Sequence, residues 1–100
     1  MRRLEWSDRA RTRFDSIFDY VAGRDFRAAV YIAERLEATA EALSRRPIGR
    51  PGPGRTYVKR VIGTRYLLVY ALGPGDAGAV RILEVFHSSQ DWTKLLSEPS

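Results

Sequence analysis

One nine-residue stretch divides this chain into two kinds of order. Residues 47–55, PIGRPGPGR, are two-thirds proline and glycine. Proline removes a backbone donor and fixes φ, and glycine gives up little freedom only where the chain turns, so regular structure is not expected there and its arginines should project into solvent. A phosphate-cradling loop would need a lysine followed by serine or threonine at a helix start, whereas this loop leads into a strand-like segment, so that reading is rejected. Before the loop, apolar residues recur at helical spacing; after it they alternate. A chain so divided folds as helices packed on a sheet, an α+β domain.

The elements follow from local signals. RRLEW, residues 2–6, reads as a short strand with Leu4 and Trp6 on one face. Ser7 reads as an N-cap with Asp8 in the first turn, and Ala10, Phe14, Ile17, Phe18 and Val21 make an apolar stripe that Gly23 ends. Asp25 caps a second helix to about Ser44, with the stripe Ala29, Ile32, Ala33, Leu36, Ala40 and Leu43, and Pro47 forbids its continuation. TYVKRVI (56–62), RYLLVYAL (65–72) and VRILEVFH (80–87) read as strands, with Gly63-Thr64 as a hairpin turn and GPGDAGA as a second turn. SSQDWTKLLSEPS is expected to hold a short helix returning Trp92, Leu95 and Leu96 to the sheet. The order is β-α-α-β-β-β: an antiparallel sheet, the first strand added at an edge, packed against a two-helix hairpin. One hundred residues suit a single domain, 1–100.

Composition closes several routes to function. The chain has no cysteine and one histidine, which excludes disulfides, thiolate chemistry and imidazole-rich metal sites; no metal and no cofactor are expected. No run nears the roughly 20 apolar residues of a membrane helix, and MRRLEWSDRA lacks a signal-peptide core, so a cytoplasmic protein with no membrane partner is expected.

The net charge of +5 is unevenly placed. Residues 1–44 balance eight basic against eight acidic side chains, and residues 76–100 are slightly acidic. Between them, Arg45, Arg46, Arg50, Arg55, Lys59, Arg60 and Arg65 stand without one acid. Such a block is the footprint of a surface for an acidic partner or polyanion, against the plainer reading of a solvated face. Arg50, Arg55, Lys59, Arg60 and Arg65 are the candidate binding residues. Trp6, Phe14, Phe18, Tyr66 and Tyr70 follow element periods and read as core; Tyr57 and Phe86 would stack on bases only if exposed beside the arginines.

A strand ending in tryptophan, a helical hairpin, a loop with Pro47, Gly49 and Arg50, then Arg60, Gly63, Tyr66 and Tyr70, and a last strand with Ile82, Leu83, Val85, His87, Asp91 and Trp92 together resemble the RelE/ParE superfamily. These are the toxins of bacterial type II toxin–antitoxin systems. The likeness spans almost the whole chain. RelE-like members cleave messenger RNA on the ribosome, and ParE-like members inhibit DNA gyrase. The H-x-x-x-D-W ending and the G-x-x-Y-L-L-V-Y strand resemble the ParE side, which implies a growth-inhibiting gyrase poison neutralised by a cognate acidic antitoxin. On that reading His87 is a strand-end residue bonded to the tail, with Asp91 as a candidate partner, and the antitoxin lies across Phe14, Phe18, Ile32 and Leu36. The alternative is a ribosome-dependent endoribonuclease with His87 as base or acid and Arg65, Arg60 and Lys59 as its cations. Ser88, Ser89, Gln90 and Asp91 stand where ribonucleases of this kind carry further basic residues or a tyrosine. A third reading is an inactive relative that only binds antitoxin. Arg65 has a structural alternative, an ion pair with Glu84.

Overall fold

The computed structural model describes residues 2–73 and 78–90. Its elements are β1 (Leu4–Trp6), α1 (Asp8–Ala22), α2 (Phe26–Arg45), β2 (Arg50–Pro51), β3 (Tyr57–Arg60), β4 (Tyr66–Leu72) and β5 (Val80–His87), with the strands in one sheet ordered β1-β5-β4-β3-β2. The expected helix caps are in place. Ser7 Oγ accepts from the Ala10 amide at 3.0 Å, and Asp25 accepts from the Ala28 amide at 3.2 Å. Each satisfies one of the donors that a helix start leaves without a partner. Ser7 Oγ also donates to the Leu83 carbonyl at 3.0 Å, so one hydroxyl both starts α1 and ties it to β5.

The two-layer α+β arrangement is as expected, with differences in the sheet. β1 sits at the edge, but it runs parallel to β5, with Leu4 opposite Val80 and Trp6 opposite Ile82, so the sheet is mixed. Alternation of apolar residues encodes which face is buried and not which way a strand runs. The proline-glycine segment also contributes a strand: Arg50 pairs with Val58, and Pro51 with Tyr57. Pro51 is tolerated because β2 is the outer strand and Pro51 falls at a position where no donor is needed. Gly49 allows this approach, since a Cβ there would lie 2.7 Å from the Val58 carbonyl oxygen and 3.1 Å from the Tyr70 hydroxyl. The β3–β4 connection runs from Val61 to Arg65, longer than a two-residue turn, and Gly63 takes φ +85° within it.

Two apolar clusters flank β4. Leu68 and Tyr70 join Val61, Val80, Ile82 and Val85 beneath Ala10, Leu36, Ala40 and Leu43 of the helices. Leu67 and Val69, which alternate with them, gather with Val58 and Phe86 on the opposite face and are equally buried. β4 is thus buried on both faces, which explains its unbroken apolar sequence. Phe86 is 4% exposed and Tyr57 stacks on Tyr70 with centroids 5.5 Å apart, so neither offers a free face to a base. Trp6 and Phe14 meet edge to face at 5.6 Å beside the helix-side core. The expected tail helix with Trp92, Leu95 and Leu96, and His87's candidate partner Asp91, lie outside the described residues.

Candidate docking surface

The acid-free block of sequence is spread over the far edge of the sheet. Arg50 lies on β2, Arg55 in the turn after it, Lys59 and Arg60 on β3, and Arg65 in the β3–β4 turn; Lys59 is half-buried and the other four are exposed. Ion pairs among the described residues are Arg3–Glu5, Arg9–Glu84 and Arg13–Glu84, so none involves this group. The Glu84 carboxylate, 3% exposed, is engaged by Arg9 and Arg13 of α1, which overturns the alternative that it anchors Arg65. A β-bulge places it there: Val69 faces Glu84 while Tyr70 faces Ile82, leaving Leu83 as the extra residue.

The fold adds basic residues from α2. A cleft of about 480 Å³ between α2 and β3 is lined by Arg35, Arg45, Arg46, Lys59 and Arg60, with Ala38, Thr39, Ala42, Leu43, Ile48 and Ile62 between them. Among the described residues no carboxylate lines it. Ile48 and Ile62 are 50% and 65% exposed, a position that leaves apolar surface in water. Arg35 is fixed at the rim by its Nε donating to the Ile62 carbonyl at 3.1 Å. Sequence reasoning counted Arg45 and Arg46 in the basic block but named neither as a contact, and it missed Arg35, Ile48 and Ile62. Only the pairing of α2 with the hairpin brings them together.

His87 sits at the other end of β5 and is held by its own turn. Its amide donates to Gln90 Oε1 at 2.8 Å, and the Gln90 amide donates to its carbonyl at 3.0 Å. Nδ1 lies 2.7 Å from Ser89 Oγ and accepts from the Ser89 amide at 3.1 Å. Tyr66 packs edge-on against the ring at 5.4 Å. A neighbouring pocket of about 210 Å³ is lined by Arg13, Ser16, Tyr20, Tyr66, His87 and Gln90 among others. Arg13 there donates from Nε to Glu84 at 3.3 Å. Burial, and secondarily Tyr20, raise the Tyr66 phenol above its usual pKa, so it keeps its proton near neutrality.

The cations assigned to a ribonuclease do not converge on His87. The Arg65 backbone is adjacent, its carbonyl accepting from the Ser88 amide at 2.7 Å. Lys59 and Arg60, however, lie one strand further away, opposite Leu68 and Leu67. Arg60 alternates onto the face of Leu67 and Phe86, away from Tyr66 and His87. Of the residues assigned to antitoxin binding, Leu36 is 1% exposed in the core, and Phe14, Phe18 and Ile32 are half-buried along the seam between α1 and α2.

A small α+β fold with a helical hairpin on one sheet face and a basic far edge is the architecture of a class of small bacterial toxins. The family model for the ParE toxin of the type II toxin–antitoxin system parDE matches residues 4–92. The chain belongs to the ParE toxin family. It is similar to "Putative toxin Y4kP" of Sinorhizobium fredii (strain NBRC 101917 / NGR234), 32% identical over 100 residues and covering 95% of this chain and 97% of that protein. A solved structure of a chromosomal ParDE system from P. aeruginosa superposes with a TM-score of 0.75 at 15% identity, covering 87% of this chain and 96% of that one, a likeness of fold alone.

Proposed function

We propose that this chain acts as one toxin domain that inhibits DNA gyrase in the cytoplasm, docking through Arg50, Arg55, Lys59, Arg60 and Arg65, and that a cognate acidic antitoxin neutralises it. The observation that carries the docking site is the absence of any ion pair to these residues among the described ones. Unpaired exposed cations keep their field for a partner, steering association over about 10 Å at 0.1 M salt. The His87 environment supports binding over hydrolysis. Its ring is braced by Ser89, and the arginine lining its pocket is engaged by Glu84.

The test is a gyrase supercoiling assay with purified protein, run beside a ribosome-bound mRNA cleavage assay. Inhibited supercoiling with intact mRNA supports the proposal, and cleaved mRNA with normal supercoiling refutes it. Growth inhibition by single variants then locates the surface. Arg60→Ala on β3 and Arg65→Ala just before β4 should reduce toxicity more than Arg50→Ala on the outermost strand. If only variants that also melt early lose toxicity, the basic group is a solvated face.

A further inference from the structure

We infer that the cleft between α2 and β3 grips the sugar-phosphate backbone of duplex DNA, so that this toxin binds DNA directly and without regard to sequence. The inference goes beyond the gyrase reading, and its test contains no gyrase, so each can fail alone.

α2 sorts its charges onto two flanks. Glu34, Glu37 and Glu41 follow one another at three- and four-residue intervals and share one flank. Glu37 lines an opening of about 200 Å³ with Trp6, Arg11, Phe14 and Asp15, so this flank lies on the side of α1. Arg35, Ala38, Ala42 and Arg45 repeat at the same intervals on the flank beside β3, and Arg46 follows at the helix end. From Arg35 to Arg45 the stripe is about 15 Å long at 1.5 Å per residue. Lys59 and Arg60 complete it from the sheet. The ion pairs among the described residues are those of Glu5 and Glu84, so Glu41 does not neutralise Arg45 four residues on.

Phosphodiester is the anion that matches this charge density. One DNA strand carries a charge for about every 3.4 Å of helix axis, so the stripe spans roughly four phosphates. An extended peptide of that length has only about four or five residues, and nearly all would have to be acidic to match. Ala38 and Ala42 keep the floor low between the arginines, which lets a backbone lie close. Ile48 and Ile62, 50% and 65% exposed, give the sugar carbons an apolar surface. Arg35 is held in place beforehand by its bond to the Ile62 carbonyl.

The lining also selects duplex over single strand. Among the described residues no aromatic side chain lines the cleft. Single-strand sites hold unstacked bases on aromatic rings; without rings, the bases stay paired and only the backbone enters. The duplex is also the denser polyanion, with the steeper salt dependence for each phosphate neutralised. An affinity on the order of 10⁻⁴–10⁻⁶ M, usual for sequence-independent contacts, would keep the toxin sliding and hopping along the polymer on which gyrase works.

The test is fluorescence anisotropy of the full-length toxin with a labelled duplex of about 20 base pairs, in salt from about 50 to 200 mM. The logarithm of the binding constant should fall with that of salt at a slope of roughly −4, and Arg45→Ala/Arg46→Ala should weaken binding at least tenfold and flatten the slope by about 2. Ala42→Glu, at an exposed helix position that accommodates glutamate, should weaken binding about tenfold and carries the test if thermal melts show the double variant unfolded. Arg3→Ala/Arg11→Ala, beside acids and outside the cleft, should stay within twofold. Folded cleft variants that bind as wild type does overturn the site. Single-stranded DNA, RNA or poly-glutamate bound more tightly than the duplex overturns the occupant. Absence of DNA binding by the wild-type toxin sinks the inference and leaves gyrase inhibition to its own assay.

Discussion

Replacing Glu84 by alanine should loosen α1 from the sheet, and the size of the effect can be worked out from its contacts. Glu84 is 3% exposed, and its Oε1 accepts from the Val85 amide at 3.1 Å and from Arg13 Nε at 3.3 Å, while Arg9 approaches Oε2 at 3.7 Å. Removing the acceptor strands a buried amide, which costs about 1–3 kcal/mol. The ion pairs add little, because the Arg9 and Arg13 side chains are 68% and 45% exposed and return to water when freed; each is worth about 0–1 kcal/mol. The expected loss is about 2–4 kcal/mol in urea denaturation, and a thermal midpoint lowered by roughly 10 °C or more. Glu84→Gln keeps an acceptor for Val85 and for Arg13 and should lose no more than about 1 kcal/mol. Raising salt should hardly change the gap between the two variants, since a buried hydrogen bond is not screened. If Gln destabilises as much as Ala, charge pairing and not the hydrogen bond fastens α1. If Ala stays within about 0.5 kcal/mol of wild type, Glu84 does not fasten it at all.

Gly49→Ala should destabilise by about 1–3 kcal/mol, read by urea melts, because its Cβ would press on a backbone oxygen that is itself held in the sheet. His87→Ala should cost about 1 kcal/mol through the lost Ser89 bonds, yet leave growth inhibition intact; a folded variant without toxicity would restore the ribonuclease reading. Burial first, then a neighbouring tyrosine, raises both Tyr66 and Tyr70 above 10.0. The folded state therefore holds these protons more tightly than the unfolded chain, and the resulting stability is full below pH 10 and lost as pH climbs through the raised values. The urea midpoint should fall between pH 8 and pH 11, and Tyr66→Phe should flatten that fall.

How much of this was legible depended on how local each signal is. Ser7 and Asp25 announced their helices because a cap is satisfied within three residues, and those bonds are present. The nearly continuous apolar run RYLLVYAL marked a central strand, but it did not say that both faces would be covered, since an apolar run looks the same either way. Strand direction was invisible for β1, whose three residues carry a face preference and nothing else. The bulge that delivers Glu84 to α1 depends on a register between β4 and β5 that no single strand encodes. The basic block was legible because charge is additive along the chain. The cleft was not, because it needs Arg35 to reach the carbonyl of Ile62, 27 residues on. That contact holds the exposed Ile62 at a rim whose position only the folded chain defines.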